Sequence, residues 1–266
     1  MHFIDTHCHL DAAEFGNTQA ALVAAAQHAG VNCIVLPAVE RANFQTVLDL
    51  GRQHDCCAPA LGIHPMYVAH AKADDLAALD RLLQASTVIA VGEIGLDFFV
   101  EHYDQPRQEE FFIAQLKLAR KYNLPVLLHV RKSVDTILKY LRQIRVPGGI
   151  AHAFNGSRQQ ADEFIKLGFK LGFGGAMTYT RANRLRDLAA TLPLEAIVLE
   201  TDAPDIPPAF LERGMPNKPE YLPRIAHTLA ELRCISLPEI AAATSANAIA
   251  VLPGLTGSLS PATIAR

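Results

Sequence analysis

Near its start the chain carries two histidines separated by one residue, in Phe3-Ile4-Asp5-Thr6-His7-Cys8-His9-Leu10. Side chains alternate along an extended backbone, so His7 and His9 face the same way and can grip one ion from a rigid edge. Cys8 then faces away and reads as a small buried hydrophobe. A lone His-x-His is incidental more often than not. Here Glu93, His129, His152 and Asp202 stand at the ends of four other apolar runs, and so many coincidences are hard to sustain. Together these donors exceed one ordinary site, because a tetrahedral metal takes four ligands and a catalytic zinc takes three plus water. The economical arrangement is two divalent ions per chain sharing Glu93, with His7, His9 and Asp202 on one and His129 and His152 on the other. Imidazole-rich ligation suits Zn, Mn, Fe or Co better than Ca, and Mg suits the carboxylate-rich position.

The donors converge only if the runs that carry them are neighbouring strands. Short apolar, β-branched runs fall at 3–5, 33–36, 58–63, 88–91, 126–130, 149–153, 170–173 and 197–200. Helical periodicity fills the gaps, at 19–29, 43–53, 75–84, 105–122, 134–144, 158–167 and 182–191. Eight strands alternating with helices predict parallel βα units closed into a single (β/α)8 TIM-type barrel, whose strand C-termini carry the chemistry. An open doubly wound sheet is the structural alternative, but no Gly-x-Gly-x-x-Gly follows a strand and no P-loop is present. The proline-rich stretch 203–208 reads as an irregular loop, and two more helices are expected at 220–232 and 238–251. The barrel domain is thus expected over 1–252, with a flexible tail at 253–266.

Composition excludes several classes. The chain has 266 residues, 50% hydrophobic and 19% charged, with mean hydropathy +0.14, so it can bury a substantial core and is neither a solvated coil nor collagen-like. A net charge of −3 rules out nucleic-acid binding through bulk basicity, so any such binding must be local. Five cysteines, an odd number with Cys56 and Cys57 adjacent, form no disulfide framework and read as reduced thiols. With no signal-peptide pattern and no apolar run of membrane-spanning length, a cytoplasmic protein is expected, without membrane association or an obligate protein partner.

The ordered motifs resemble the TatD-type metal-dependent hydrolases, deoxyribonucleases of the amidohydrolase superfamily. The resemblance rests on the segment around His7 and His9, Gly62-Ile63-His64-Pro65, Val91-Gly92-Glu93-Ile94-Gly95-Leu96-Asp97, Leu128-His129-Val130-Arg131, His152-Ala153-Phe154-Asn155-Gly156 and Glu200-Thr201-Asp202-Ala203-Pro204, in order over residues 3–252. It implies a dinuclear-metal barrel that hydrolyses phosphodiesters, several members acting as 3′-to-5′ exonucleases on DNA. The family's metal ligands fall on His7, His9, Glu93, His129, His152 and Asp202, in agreement with the assignment above. On that reading, two ions acidify a shared water and stabilise charge on the phosphoryl oxygens. Glu93 bridges the ions, and Asp202 takes the water's proton and passes it to the leaving oxygen. Asn217-Lys218-Pro219 resembles the family's Asn-x-Pro segment and makes Asn217 a candidate substrate contact.

Three departures bear on substrate. Phe98-Phe99-Val100 stands where the family continues with an aromatic pair and Arg, Pro216 replaces a common Arg, and Met66 follows His64-Pro65 where a second His is frequent. Positive charge near the mouth can come instead from Arg131, Lys132, Arg158, Arg181 and Lys218.

His64 reads as a substrate contact rather than a loop stabiliser, because it lies on the active face. Arg131, two residues after His129, would clamp phosphate with its planar fork, and a surface ion pair is its plainer reading. Glu200 is expected to orient a ligand from behind. Asn155 is a candidate substrate contact, with turn chemistry before the next helix as the alternative. His2, His28, His54, His70, His102 and His227 read as surface or packing residues, Phe111 and Phe112 as core, and the cationic stretch 181–186 as a solvated helix face. Two rival functions remain: hydrolysis of carboxylic esters, lactones or acylated small molecules by the same centre, and a non-catalytic metal-binding barrel.

Overall fold

The computed structural model describes residues 1–257. Eight strands alternate with helices: β1 (Phe3–Asp5), α1 (Gln19–His28), β2 (Val31–Pro37), α2 (Phe44–Gln53), β3 (Cys57–Ala60), α3 (Ala73–Ala85), β4 (Val91–Asp97), α4 (Gln105–Tyr122), β5 (Val126–Arg131), α5 (Val134–Gln143), β6 (Gly149–Ala151), α6 (Arg158–Lys166), β7 (Phe169–Phe173), α7 (Asn183–Thr191) and β8 (Ile197–Leu199). Two further helices, α8 (Leu222–Arg233) and α9 (Leu237–Val251), follow. Local chemistry sets the helix ends. Asp104 accepts from Arg107 N at the start of α4, Ser157 and Gln160 form a capping box on α6, and Ser236 and Glu239 form one on α9. No single helix among the described residues is long and apolar enough to cross a membrane, and all five cysteines are free.

All pairings are parallel and run in chain order, in one ladder β1-β2-β3 and another β4 through β8. The seam between β3 and β4 is spanned by a Leu61–Val91 bridge, with Gly92 N donating to Leu61 O at 2.9 Å. The seam between β8 and β1 is spanned above the strands: Thr6 N donates to Leu199 O at 3.1 Å, Asp202 N to His7 O at 2.8 Å and His9 N to Ala203 O at 2.8 Å. The residues of this second seam are candidate ligands, so closing the ring and positioning the site are one event.

The core has two parts. Phe111, Phe112, Phe154, Phe164 and Phe173 pack where helices meet the outside of the strands. Ile4, Cys33, Val35, Ala60, Leu127, Ile150 and Val198 form a separate cluster inside the ring, plugged from below by Ala248, Val251, Leu252 and Leu255. Leu255 lies in a short 3-10 turn, Pro253–Gly257, and is fully buried. The packed chain therefore extends beyond residue 252, where a flexible tail was expected; the rest of that stretch, 258–266, lies outside the described residues.

β4 departs from expectation. The run at 88–91 was read as the strand and Gly92–Asp97 as its end, whereas the strand is Val91–Asp97 itself. Its glycines are close-approach residues rather than turn residues: a Cβ at Gly95, where φ is 150°, would collide with the carbonyl of His129 on β5. The register against β5 shifts between Val91 and Ile94, a bulge-type irregularity that re-aims the Glu93 side chain.

Candidate metal centre

Side-chain alternation explains why the donors meet. Leu127, Ile150 and Val198 point into the ring, so His129, His152 and Glu200, each two residues further on, point the same way one layer higher. His7 and His9 reach the same layer from the end of β1. Asp202 gets there by a left-handed backbone, φ 58°, which Asp tolerates better than bulkier residues.

Glu93 is the hub. Its Oε2 lies 3.1 Å from His7 Nε2 and 3.6 Å from His9 Nε2. Its Oε1 lies 3.0 Å from His129 Nδ1, 3.4 Å from His152 Nε2 and 3.5 Å from His64 Nε2. Asp202 Oδ1 stands 3.7 Å from both His7 Nε2 and His9 Nε2. The donors form three groups able to hold an ion: His7, His9 and Asp202; His7, Glu93 and His152; and His64, Glu93 and His129.

The residues fit a divalent metal on chemical grounds. Glu93, Asp97, Glu200 and Asp202 are all buried, and an uncompensated buried carboxylate is costly. Among the described residues, only imidazoles and the rim residue Arg131, 3.9 Å from Asp97, stand against them. His7 Nε2 and His9 Nε2 face each other at 3.3 Å, a meeting of lone pairs that a shared cation or proton must bridge. Burial opposes ionisation of Glu93, but the imidazoles of His64, His7 and His152 and the hydrogen bond with His129 prevail and hold its carboxyl well below the usual range. Burial would also lower His152, yet the carboxylates of Asp202, Glu93 and Glu200 raise it to about 10. Its stacking partner His7, 3.9 Å away between ring centroids, is pushed down to about 3 by burial and by the charge on His152. The stacked pair thus carries one proton charge, and His152 holds it. Burial raises Asp202 to about 6 against the pull of His152 and His9.

Behind the donors stands a layer of orienting groups. Glu200 Oε1 lies 3.4 Å from His152 Nδ1 and accepts from Ala153 N at 2.5 Å. Gly172 on β7 leaves the space for that carboxylate, since a Cβ there would overlap it. Two orienting residues escaped the sequence reading. Asp97 Oδ2 lies 2.9 Å from His129 Nε2 and turns Nδ1 of that ring to the centre. Asp5 ties the end of β1 to Thr201 through both carboxylate oxygens. Both occur within the quoted motifs, and Asp97 lies an even number of residues from Glu93, a spacing that was available as a signal.

The expected substrate contacts separate. His64 is buried, and its Nδ1 accepts from Met66 N at 3.2 Å, which leaves the proton on Nε2 facing Glu93. Although His64 falls in one of the three groups, a ring locked in that tautomer donates a hydrogen bond rather than ligating. Asn217 is corrected: it is fully buried, and its amide donates to Thr201 O at 2.7 Å and Ile206 O at 3.2 Å, so it braces the β8 loop and cannot touch substrate. Asn155 is exposed and accepts from Arg184 NH2 at 2.9 Å. Arg131 lies at the rim with its guanidinium 4.0 Å over the Phe99 ring. Arg158 and Lys218 are engaged by Asp162 and Glu220. Cys8 is buried among apolar residues, as its alternation with His7 and His9 requires.

A family model described as TatD related DNase matches residues 4–253. The chain belongs to the TatD family. A TatD-family relative from Escherichia coli K12, named as the uncharacterized metal-dependent hydrolase YjjV, is 43% identical over 244 residues, spanning 91% of this chain and 94% of its own. The crystal structure of E. coli YjjV, described as a TatD homolog, superposes with a TM-score of 0.91 at 41% identity, covering 94% of this chain and 98% of that one. A protein of Erwinia amylovora named 3′-5′ ssDNA/RNA exonuclease TatD is 33% identical over 257 residues, 93% of this chain and 98% of its own. This TatD-family chain thus has the (β/α)8 barrel its alternating runs predict.

Proposed function

We propose that this metal-dependent hydrolase cleaves phosphodiester bonds in single-stranded nucleic acid, removing nucleotides from the 3′ end of DNA, with two divalent ions per chain. The observation that carries the reading is the two-sided engagement of Glu93: one oxygen serves His7 and His9 beside Asp202, and the other serves His129 and His152. His7, His9 and Asp202 would hold one ion, His129 and His152 the other, with Glu93 between; Zn, Mn, Co and Mg are the candidates. Bound ions supply an acidified water and positive charge for the phosphoryl oxygens. The protein's residues do the rest. Asp202, raised by burial toward neutrality and partly open to the mouth, accepts the water's proton as the new P–O bond forms. It returns that proton to the departing sugar oxygen as the old P–O bond breaks. His64 Nε2–H donates to a phosphoryl oxygen, and Arg131 offers its fork at the rim. The 33% identical exonuclease relative supports nucleic acid as the substrate.

The test is turnover by purified protein reconstituted with Mg, Mn, Co or Zn, on 5′-labelled single-stranded DNA and on a panel of carboxylic esters and lactones. Stepwise shortening of the DNA is expected, with elemental analysis approaching two ions per chain. Efficient ester hydrolysis without DNA cleavage would replace the reading with the carbonyl alternative. Failure of every substrate, with metal bound, would favour a non-catalytic barrel.

A further inference from the structure

The C-terminal face of the barrel is divided by charge. On the loops after β1, β2 and β8, Asp11, Glu14, Glu40 and Asp205 gather around Tyr67, whose phenol is raised by partial burial and by these carboxylates. On the opposite half, among the loops that follow β4, β5 and β6 and beside α7, a cavity of about 650 Å³ opens. Phe99, Arg131, Lys132, Asn155 and Arg184 line it, with Asp135 as its one carboxylate. Asp135 is already engaged by Gln160 Nε2 at 2.9 Å. Lys132 and Arg184 are not paired with a carboxylate among the described residues: the Lys132 ammonium lies 4.7 Å from the Phe99 ring, and Arg184 donates to the Asn155 side chain. Lys132 also holds a left-handed backbone, φ 53°, an uncommon conformation for a lysine that turns it away from the continuing strand direction.

Phe99 is about half exposed, 51%, which is unusual for a large aromatic, even though the Arg131 guanidinium lies 4.0 Å over part of its ring. Cations beside a half-exposed aromatic ring are the elements of a single-strand subsite: charge follows the phosphates, and bases stack on the exposed part of the ring whatever their sequence. The cavity wall is tied to the centre through Arg131, which lies 3.9 Å from the Asp97 carboxylate that holds His129.

We propose that this cavity is a subsite for the nucleotide on the 5′ side of the scissile linkage, its phosphate held by Lys132 and Arg184 and its base stacked on Phe99. The inference rests on the phosphodiesterase reading above and deepens it. The retained part of a strand cut from its 3′ end carries all its phosphates on the 5′ side, so the basic half receives it. The acidic half repels a strand that would run on past the centre, which favours action at an end. Local charge of this kind reconciles nucleic-acid binding with a net charge of −3.

The test compares hexathymidylate with bis(p-nitrophenyl) phosphate, a diester with no neighbouring nucleotide, on the metal-loaded protein and on Lys132→Gln, Arg184→Gln and Phe99→Ala. Each substitution is expected to lower the oligonucleotide-to-diester ratio of kcat/KM roughly tenfold, mainly through the KM for the oligonucleotide. Lys132→Arg and Phe99→Tyr should restore most of the ratio, which a folding defect would not allow. A ratio unchanged in all three variants overturns the subsite while leaving the phosphodiesterase reading intact. Absence of turnover on both substrates by the parent protein overturns that reading, and the subsite with it.

Discussion

Asp5 holds Thr201 with both carboxylate oxygens: Oδ1 accepts from Thr201 N at 2.9 Å and Oδ2 from Thr201 Oγ1 at 2.6 Å. Oδ1 also accepts from His7 N at 3.3 Å, so one buried side chain fixes the backbones that carry His7 and Asp202. Asp5→Ala is expected to lower metal affinity by about 10–100-fold, the usual scale for an outer partner of a ligand. Asp5→Asn keeps one acceptor oxygen and should lose much less. Titration with a competing chelator measures both, and equal affinities for Asp5→Ala and the parent protein would refute the clip.

Glu200 makes a parallel case on the other side of the centre. Its carboxylate stands behind His152 and needs the space left by Gly172. Glu200→Gln should weaken metal binding by about 10–100-fold while leaving the fold intact. Gly172→Ala should produce a similar loss without touching any charge, because the new methyl displaces the carboxylate. Should Gly172→Ala bind metal normally, the support from Glu200 is not what orients His152.

Metal loading and protonation compete here, and the sign follows from the shifts. His152 is raised to about 10, so its ring is charged in the metal-free protein at neutral pH; His129 is, against the effect of burial, also raised by its hydrogen bonds to Asp97 and Glu93. A ligating imidazole must be neutral, so loading should release at least the His152 proton near pH 7. Affinity should therefore climb as pH rises from about 6 toward 9, since the protons to be displaced become easier to remove. Calorimetry in buffers of different ionisation enthalpy reads the proton count directly; a binding heat independent of buffer would contradict the charged state assigned to His152.

How much of this was legible in the sequence depends on whether a residue's role is local. The alternation of apolar runs with helical periods gave the barrel because burial on both faces of a parallel strand leaves a continuous signal. His7, His9, His129 and His152 were found because each follows its run at a fixed step, which parallel strands turn into a common layer. Glu93 was placed just past a strand because the apolar run stops at Val91, before Gly92 and Gly95. Only the closeness of β5 shows that they thin the strand instead. Asn217 was misjudged for a related reason: its motif gives its place in the chain, but not the two carbonyls that consume its amide. Asp5 acts on Thr201, far away in sequence, and no spacing distinguishes it from an ordinary buried carboxylate, whereas the even step from Glu93 to Asp97 was a signal that went unused. The tail was judged by its Gly, Ser, Thr and Pro content, which missed one anchoring side chain, Leu255.

The sharpest division between binding and chemistry lies at Asp202. Its Oδ1 stands within 3.7 Å of two histidines, and its side chain keeps a small opening to the mouth, 13% exposed, as a group exchanging protons with substrate requires. Asp202→Asn preserves the shape and one oxygen that can face a metal, but removes the proton acceptor. Loss of a general base typically costs about 10²–10⁴ in rate, so kcat should fall on that scale while KM changes little. Weakened ligation would imitate the effect, so metal content must be measured on the same sample. The pH profile adds a second readout: the acidic limb of kcat/KM, which reports the acceptor in the free enzyme, should flatten in Asp202→Asn. If the variant keeps both ions, near-normal kcat and an unaltered limb, proton transfer belongs to another carboxylate. Glu200, two residues earlier in the chain and 3.4 Å from His152, would then be the next to replace.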